Sequence, residues 1–157
     1  MLTFVNHTDR KAILAYFQER FGISEEAFNG FPLLKKGRTI WAVKDGPGLD
    51  QLLNLLKVEA AGVPLIRIRA TMQKPTTAGL RLWQATRNVI DLDDEALGGF
   101  LNRGVVSRTF PAEPGYVVVR WRGEVLGCGL YSKGKLRSQI PRHWWLQVKG
   151  KIDVPEP

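Results

Sequence analysis

The chain has 157 residues, 44% of them hydrophobic, with 23 Lys and Arg against 15 Asp and Glu, a net charge of +8 and a pI near 9.9. That apolar content supplies one good core or two small ones and excludes a disordered chain, while the basic surplus points to a polyanionic partner, nucleic acid or acidic membrane, or to a well-solvated basic surface. The single cysteine excludes an internal disulfide framework and a multi-cysteine metal site.

In chain order, Met1 to Arg10 lacks an apolar core followed by a small-residue cleavage site, and no later stretch approaches the length of a membrane span. A protein of the cytoplasm is the expectation. Thr8 and Asp9 offer N-capping oxygens to a helix whose apolar residues Ile13, Leu14, Phe17 and Phe21 recur at helical spacing, with Gly22 as its left-handed cap. Ser24 caps a short turn carrying Phe28. Lys36-Gly37-Arg38 reads as a turn before a strand from Thr39 to Val43. Leu49, Leu52, Leu53, Leu55 and Leu56 mark a further amphipathic helix, and Leu65 to Arg69 alternates as a half-buried strand does.

Lys74-Pro75-Thr76 is expected to break regular structure, since proline lacks an N–H and constrains the residue before it. A domain boundary is placed there, giving a small α/β domain over 1–72 and a second over 73–157. The second opens with a helix through Leu80, Leu82 and Trp83, a short strand from Val89 to Leu92, and a helix introduced by Asp93, Asp94 and Glu95, acids that stabilise the positive end of its dipole. From Gly115 the pattern is β. Tyr116 to Trp121 and Val125 to Tyr131 are joined by the tight turn Arg122-Gly123, and Ser132-Lys133-Gly134 turns into a strand from Lys135 to Ile140. Such a meander suits a small closed or partly closed barrel.

The charge is uneven. Residues 1–73 hold ten bases and seven acids, whereas 125–152 hold six bases, Lys133, Lys135, Arg137, Arg142, Lys149 and Lys151, and no acid. Strand periodicity puts Lys135, Arg137 and Gln139 on one face and Leu136, Ser138 and Ile140 on the other; Arg120 and Arg122 likewise share a face. Neighbouring like charges repel, which favours a surface used by a polyanion over a merely solvated one. Trp144 and Trp145 suit either stacking on bases or closing a barrel end.

No enzyme signature emerges. His7 and His143 stand near opposite ends with no supporting carboxylate, and no nucleophile elbow, phosphate loop, zinc-binding helix or dinucleotide fingerprint is present. Gly127-Cys128-Gly129 falls inside a strand, where glycine permits a bulge or a close backbone approach and the cysteine reads as a small buried side chain. Neither a cofactor nor a metal is expected.

Three stretches carry a resemblance: Gly115-Tyr116-Val117-Val118-Val119, the run Gly123 to Tyr131, and Gly134-Lys135-Leu136. Together they resemble a PUA domain, an RNA-binding module. More narrowly, residues 73–145 are similar to the PUA-like domain at the C-terminus of Sun-family RNA cytosine-C5 methyltransferases. Lys74-Pro75-Thr76, Asn88 to Leu92 and Leu136 to Arg142 have counterparts there. The glycine-containing loop that approaches RNA in this family corresponds to Leu101 to Arg108, which keeps Gly104 and adds Arg103 and Arg108. Residues 1–72 are too few for the methyltransferase and lack a glycine-rich turn after a strand.

The arrangement resembles the pre-PUA plus PUA pair of ribosome-biogenesis factors. The expected fold is therefore α+β, a pre-PUA-like α/β domain followed by a PUA-type β-barrel with flanking helices. What the resemblance implies is a non-catalytic protein that binds structured rRNA or tRNA, an accessory to RNA modification or ribosome assembly. The alternative is an adaptor that lends its PUA module to a separate RNA methyltransferase. RNA contacts are expected at Lys74, Arg103, Arg108, Lys133, Lys135, Arg137, Gln139 and Arg142.

Overall fold

A computed structural model describes residues 2–44, 62–68 and 73–141. Two five-stranded sheets frame them. The first is antiparallel throughout, in the order β1 (Thr3–Phe4), β2 (Leu33–Lys36), β3 (Thr39–Ala42), β4 (Val63–Ile68), β5 (Gln73–Pro75). Helix α1 (His7–Phe21) buries Ile13, Leu14, Phe17 and Phe21, the stripe that the periodicity marks out. Its N-cap is Asn6 rather than Thr8 or Asp9: the Asn6 side-chain oxygen accepts the Asp9 N–H at 2.8 Å, and the Asn6 amide donates back to the Asp9 carboxylate at 3.1 Å. Gly22 does close the helix, with φ 66°, and its amide donates to Gln18. A single 3₁₀ turn (Glu25–Phe28) follows, capped by Ser24 as expected. The leucine-rich helix expected over 49–56 lies outside the described residues.

Pro75 does not break regular structure; it ends β5. The strand lies at the sheet edge, where no neighbour needs the N–H that proline lacks. The next helix is also shorter than its apolar residues suggest. Helix α2 (Thr77–Leu80) is one turn, capped by Thr76, and leaves Leu82 and Trp83 beyond its end.

The second sheet runs β6 (Val89–Leu92), β8 (Gly115–Trp121), β9 (Glu124–Ser132), β10 (Lys135–Ser138), β7 (Val105–Ser107), with β6 parallel to β8 and the rest antiparallel. Both meander turns have positive φ at each central residue, Arg122 and Gly123 in one, Lys133 and Gly134 in the other, which is the handedness a tight hairpin needs. Helix α3 (Asp94–Arg103) starts from Asp93, whose carboxylate accepts the Ala96 N–H, and ends at Gly104 in the left-handed region.

Strand β8 separates two cores. Tyr116 and Val118 point into one with α1, β2, β3 and β4, while Val117 and Val119 point into the other with α3, β6 and Leu136. This is the period-two alternation of a strand buried on both faces. Arg20 near the end of α1 ties the halves together: its Nε donates to the Tyr116 carbonyl and one Nη to the Glu113 carbonyl, each at 2.7 Å.

Candidate nucleic-acid interface

The basic face of β10 is built by register. Lys135 pairs with Ser107 on β7 and Ser132 on β9, and Arg137 pairs with Val105 and Leu130, so the cations have small or neutral neighbours on both sides. Leu136 between them is fully buried beside Val106 and Tyr131, which holds the strand while its neighbours project outward. Lys133 extends the row from the turn. All three cations are exposed, and among the described residues none has an ion-pair partner.

The α3–β7 connection lies against the same strand. Ser138 donates its N–H to the Gly104 carbonyl at 2.8 Å, and Arg108 donates its N–H to the Gly134 carbonyl at 2.9 Å. Arg103 is exposed in the last turn of α3, and the Arg108 backbone is held at the Lys133 turn. Their charges differ in availability. Arg108 donates to Asp93 at 2.9 Å, reaches Glu95 at 4.0 Å and lies 5.9 Å from the Phe110 ring centroid. The Asp93 carboxyl is held below its ordinary pKa, first by the Ala96 N–H and then by Arg108. Arg108 thus serves the start of α3 as much as the surface.

The remaining expected site residues are dispersed. Gln139 is half-buried; its side chain donates to the Ser138 carbonyl and its N–H to the Cys128 carbonyl. Lys74 is half-buried on β5, across the seam from β9, where its charge acts on Cys128. Arg142 lies outside the described residues, as do Trp144 and Trp145. Arg120 lies on β8, whereas Arg122, expected on the same strand face, sits in the β8–β9 turn with φ 49°, and both cations are neutralised. Arg120 makes a two-pronged pair with Asp91 at 2.9 Å, and Arg122 reaches Asp94 at 3.2 Å and stacks over Trp121. The sequence hides this because the acids come from β6 and α3, some thirty positions away.

A cleft of about 330 Å³ lies at the seam, lined by Tyr16, Arg20, Gln73, Pro114, Gly115 and Tyr116. Its Arg20 is committed to backbone carbonyls, and burial raises the pKa of the Tyr16 phenol, so neither group is poised for proton transfer near neutral pH. Burial likewise pushes the Cys128 thiol up to about 12, the opposite of what a nucleophile needs. Among the described residues no group of His, Cys, Asp or Glu is arranged to hold a metal ion, and no helix is long and apolar enough to cross a membrane.

Residues 87–146 match the family model described as the methyltransferase RsmF PUA domain. Among solved structures the chain is similar to that of a conserved PUA domain protein from Thermoplasma acidophilum, at 16% identity and a TM-score of 0.58, over 90% of this chain and 94% of that one. At such identity the likeness is one of fold, and it extends through the first half as well as the barrel. No curated protein matches the chain.

Proposed function

We propose that this chain, a PUA-domain protein resembling the C-terminal module of Sun-family methyltransferases, is a non-catalytic protein of the cytoplasm that binds structured rRNA or tRNA and assists RNA modification or ribosome assembly. The observation that carries the reading is the exposed row Lys133, Lys135 and Arg137, which has no acidic partner among the described residues, on a domain of RNA-binding type. Such cations neutralise phosphates and position an RNA without reading its sequence. The adaptor alternative calls for an exposed apolar patch on the first half. Among the described residues of the first half, the one large apolar side chain that is exposed is Phe4, at 50%, of the kind that any surface shows.

The test is binding of a tRNA or an rRNA fragment across a salt series. Affinity is expected to fall steeply with salt, and Lys135→Glu with Arg137→Glu is expected to weaken binding at least about tenfold while leaving the fold intact, because exposed strand positions carry little packing energy. A salt-independent affinity, or an unchanged one in the double variant, would remove RNA binding by this face.

A further inference from the structure

The first sheet carries a basic row of its own. Arg67 on β4 stands directly opposite Lys74 on β5 and, on its other side, opposite Thr39 on β3, whose partner on β2 is Lys36. Register partners direct their side chains to the same face, so Lys36, Thr39, Arg67 and Lys74 form a line across four strands at about 5 Å per step. Arg38 adjoins it in the β2–β3 turn, where its carbonyl accepts the Ile68 N–H at 2.7 Å and holds the turn beside β4. Arg38 and Arg67 are exposed and have no ion-pair partner among the described residues. Strands β2, β3, β4 and β5 contain no acidic residue. Exposed cations without an acidic partner, such as Arg38 and Arg67, are available to neutralise the phosphates of a polyanion.

The ends of this row and of the β10 row approach the same stretch of β9, on either side of the buried Cys128. From one side Lys74 lies on β5 just ahead of α2, whose Thr77, three residues on, accepts the Cys128 N–H at 3.1 Å. From the other side Gln139, next on its face after Lys135 and Arg137, donates its N–H to the Cys128 carbonyl at 2.9 Å. The two rows add up to a path on the order of 35 Å, from six residues of strand and three strand spacings.

We propose that an RNA bound on the β10 face continues across the seam at Lys74 onto the first sheet, where Arg67 and Arg38 contact its phosphate backbone. This rests on the RNA-binding reading and adds to it a second contact region outside the barrel. The consequence is a dependence on RNA length. A short duplex engages β10 alone, whereas a longer one engages both rows.

The experiment uses the full chain, a hairpin RNA of about 6 base pairs and one of about 20. Arg38→Glu with Arg67→Glu is expected to weaken binding of the long hairpin about tenfold or more, to lower its log–log salt slope by about two, and to leave the short hairpin nearly unaffected. Lys11→Glu with Lys44→Glu makes the same change in net charge away from the row and is expected to change little. Arg38→Gln with Arg67→Gln, which brings no new charge to the sheet, guards against misfolding and is expected to give the same length-dependent loss to a smaller degree. Should the wild type bind neither hairpin, the RNA reading itself falls. Should it bind both while the Arg38 and Arg67 variants leave the long hairpin unchanged, or lose no more than the Lys11 and Lys44 control, the extension onto the first sheet is overturned and the reading of β10 stands.

Discussion

Arg20 does by chemistry what no apolar residue at its position could. Its planar fork reaches two carbonyls of the second half from a helix of the first, and its side chain is 13% exposed. Arg20→Met keeps much of the packing but leaves the Tyr116 and Glu113 carbonyls without that donor, and is expected to cost about 2–4 kcal/mol in chemical denaturation. Arg20→Lys keeps the charge without the fork and is expected to recover only part of this. Cys128 makes a pH prediction. Its thiol, ordinarily near 9, is pushed up to about 12 by burial, against the opposing pull of Lys74. The folded chain therefore keeps a proton that the unfolded chain releases. The stabilisation is complete below about pH 9 and is lost as pH climbs toward 12. Unfolding midpoints are expected to fall more steeply with pH in the wild type than in Cys128→Ala. The variant retains a residual slope from Tyr16, whose phenol is shifted in the same direction by burial.

At the scale of elements, the middle of β9 shows why a glycine pair sits inside a strand. The β8–β9 register slips between Val119 and Arg120, a bulge, and beyond it β9 runs close beneath its neighbours. A Cβ on Gly127 would come within 2.7 Å of the Thr77 side chain and 2.8 Å of Ile140, and one on Gly129 within 2.7 Å of Leu136 and 2.9 Å of Val119. Thr77, 3% exposed, accepts the Cys128 N–H and so joins α2 to this strand. Thr77→Val is nearly the same shape but removes the acceptor. It is expected to destabilise the fold by about 1–3 kcal/mol, and Thr77→Ser to destabilise it less, as read from thermal or urea midpoints.

For the whole molecule, the two cores draw on the chain unequally. The core under α3 is drawn entirely from residues between Ile90 and Ile140, whereas the other combines α1 and the first sheet with Tyr116, Val118 and Cys128. Strand β5, beyond the division set between 72 and 73, pairs with β4 of the first sheet. We propose that residues 73–157 fold alone, held by the α3 core, with modest stability, because Tyr116, Val118 and Cys128 lose their cover. A fragment that is unfolded by circular dichroism while the full chain is folded would make the two halves one cooperative unit.

What the sequence by itself determined is whatever depends on neighbours along the chain. The stripe of α1, the caps at Gly22 and Ser24, the two hairpin turns and the alternation that sends Lys135 and Arg137 outward from Leu136 are local patterns with local causes. The Asn6 cap and the one-turn α2 are local too, yet missed, because several polar residues compete for a cap and Leu82 and Trp83 continue an apolar pattern past the helix end. Strands β1 and β2 escaped notice for another reason. At two and four residues they are too short to show a period, and only pairing with each other and with β3 defines them.

Only the tertiary structure decided which cations remain available. Asp91 and Asp94 withdraw Arg120 and Arg122, and Asp93 engages Arg108, while Arg38 and Arg67, about thirty positions apart in sequence, are brought together at one end of the first sheet. Charges act through space over a few ångströms, so their partners are fixed by strand register and helix placement rather than by chain order.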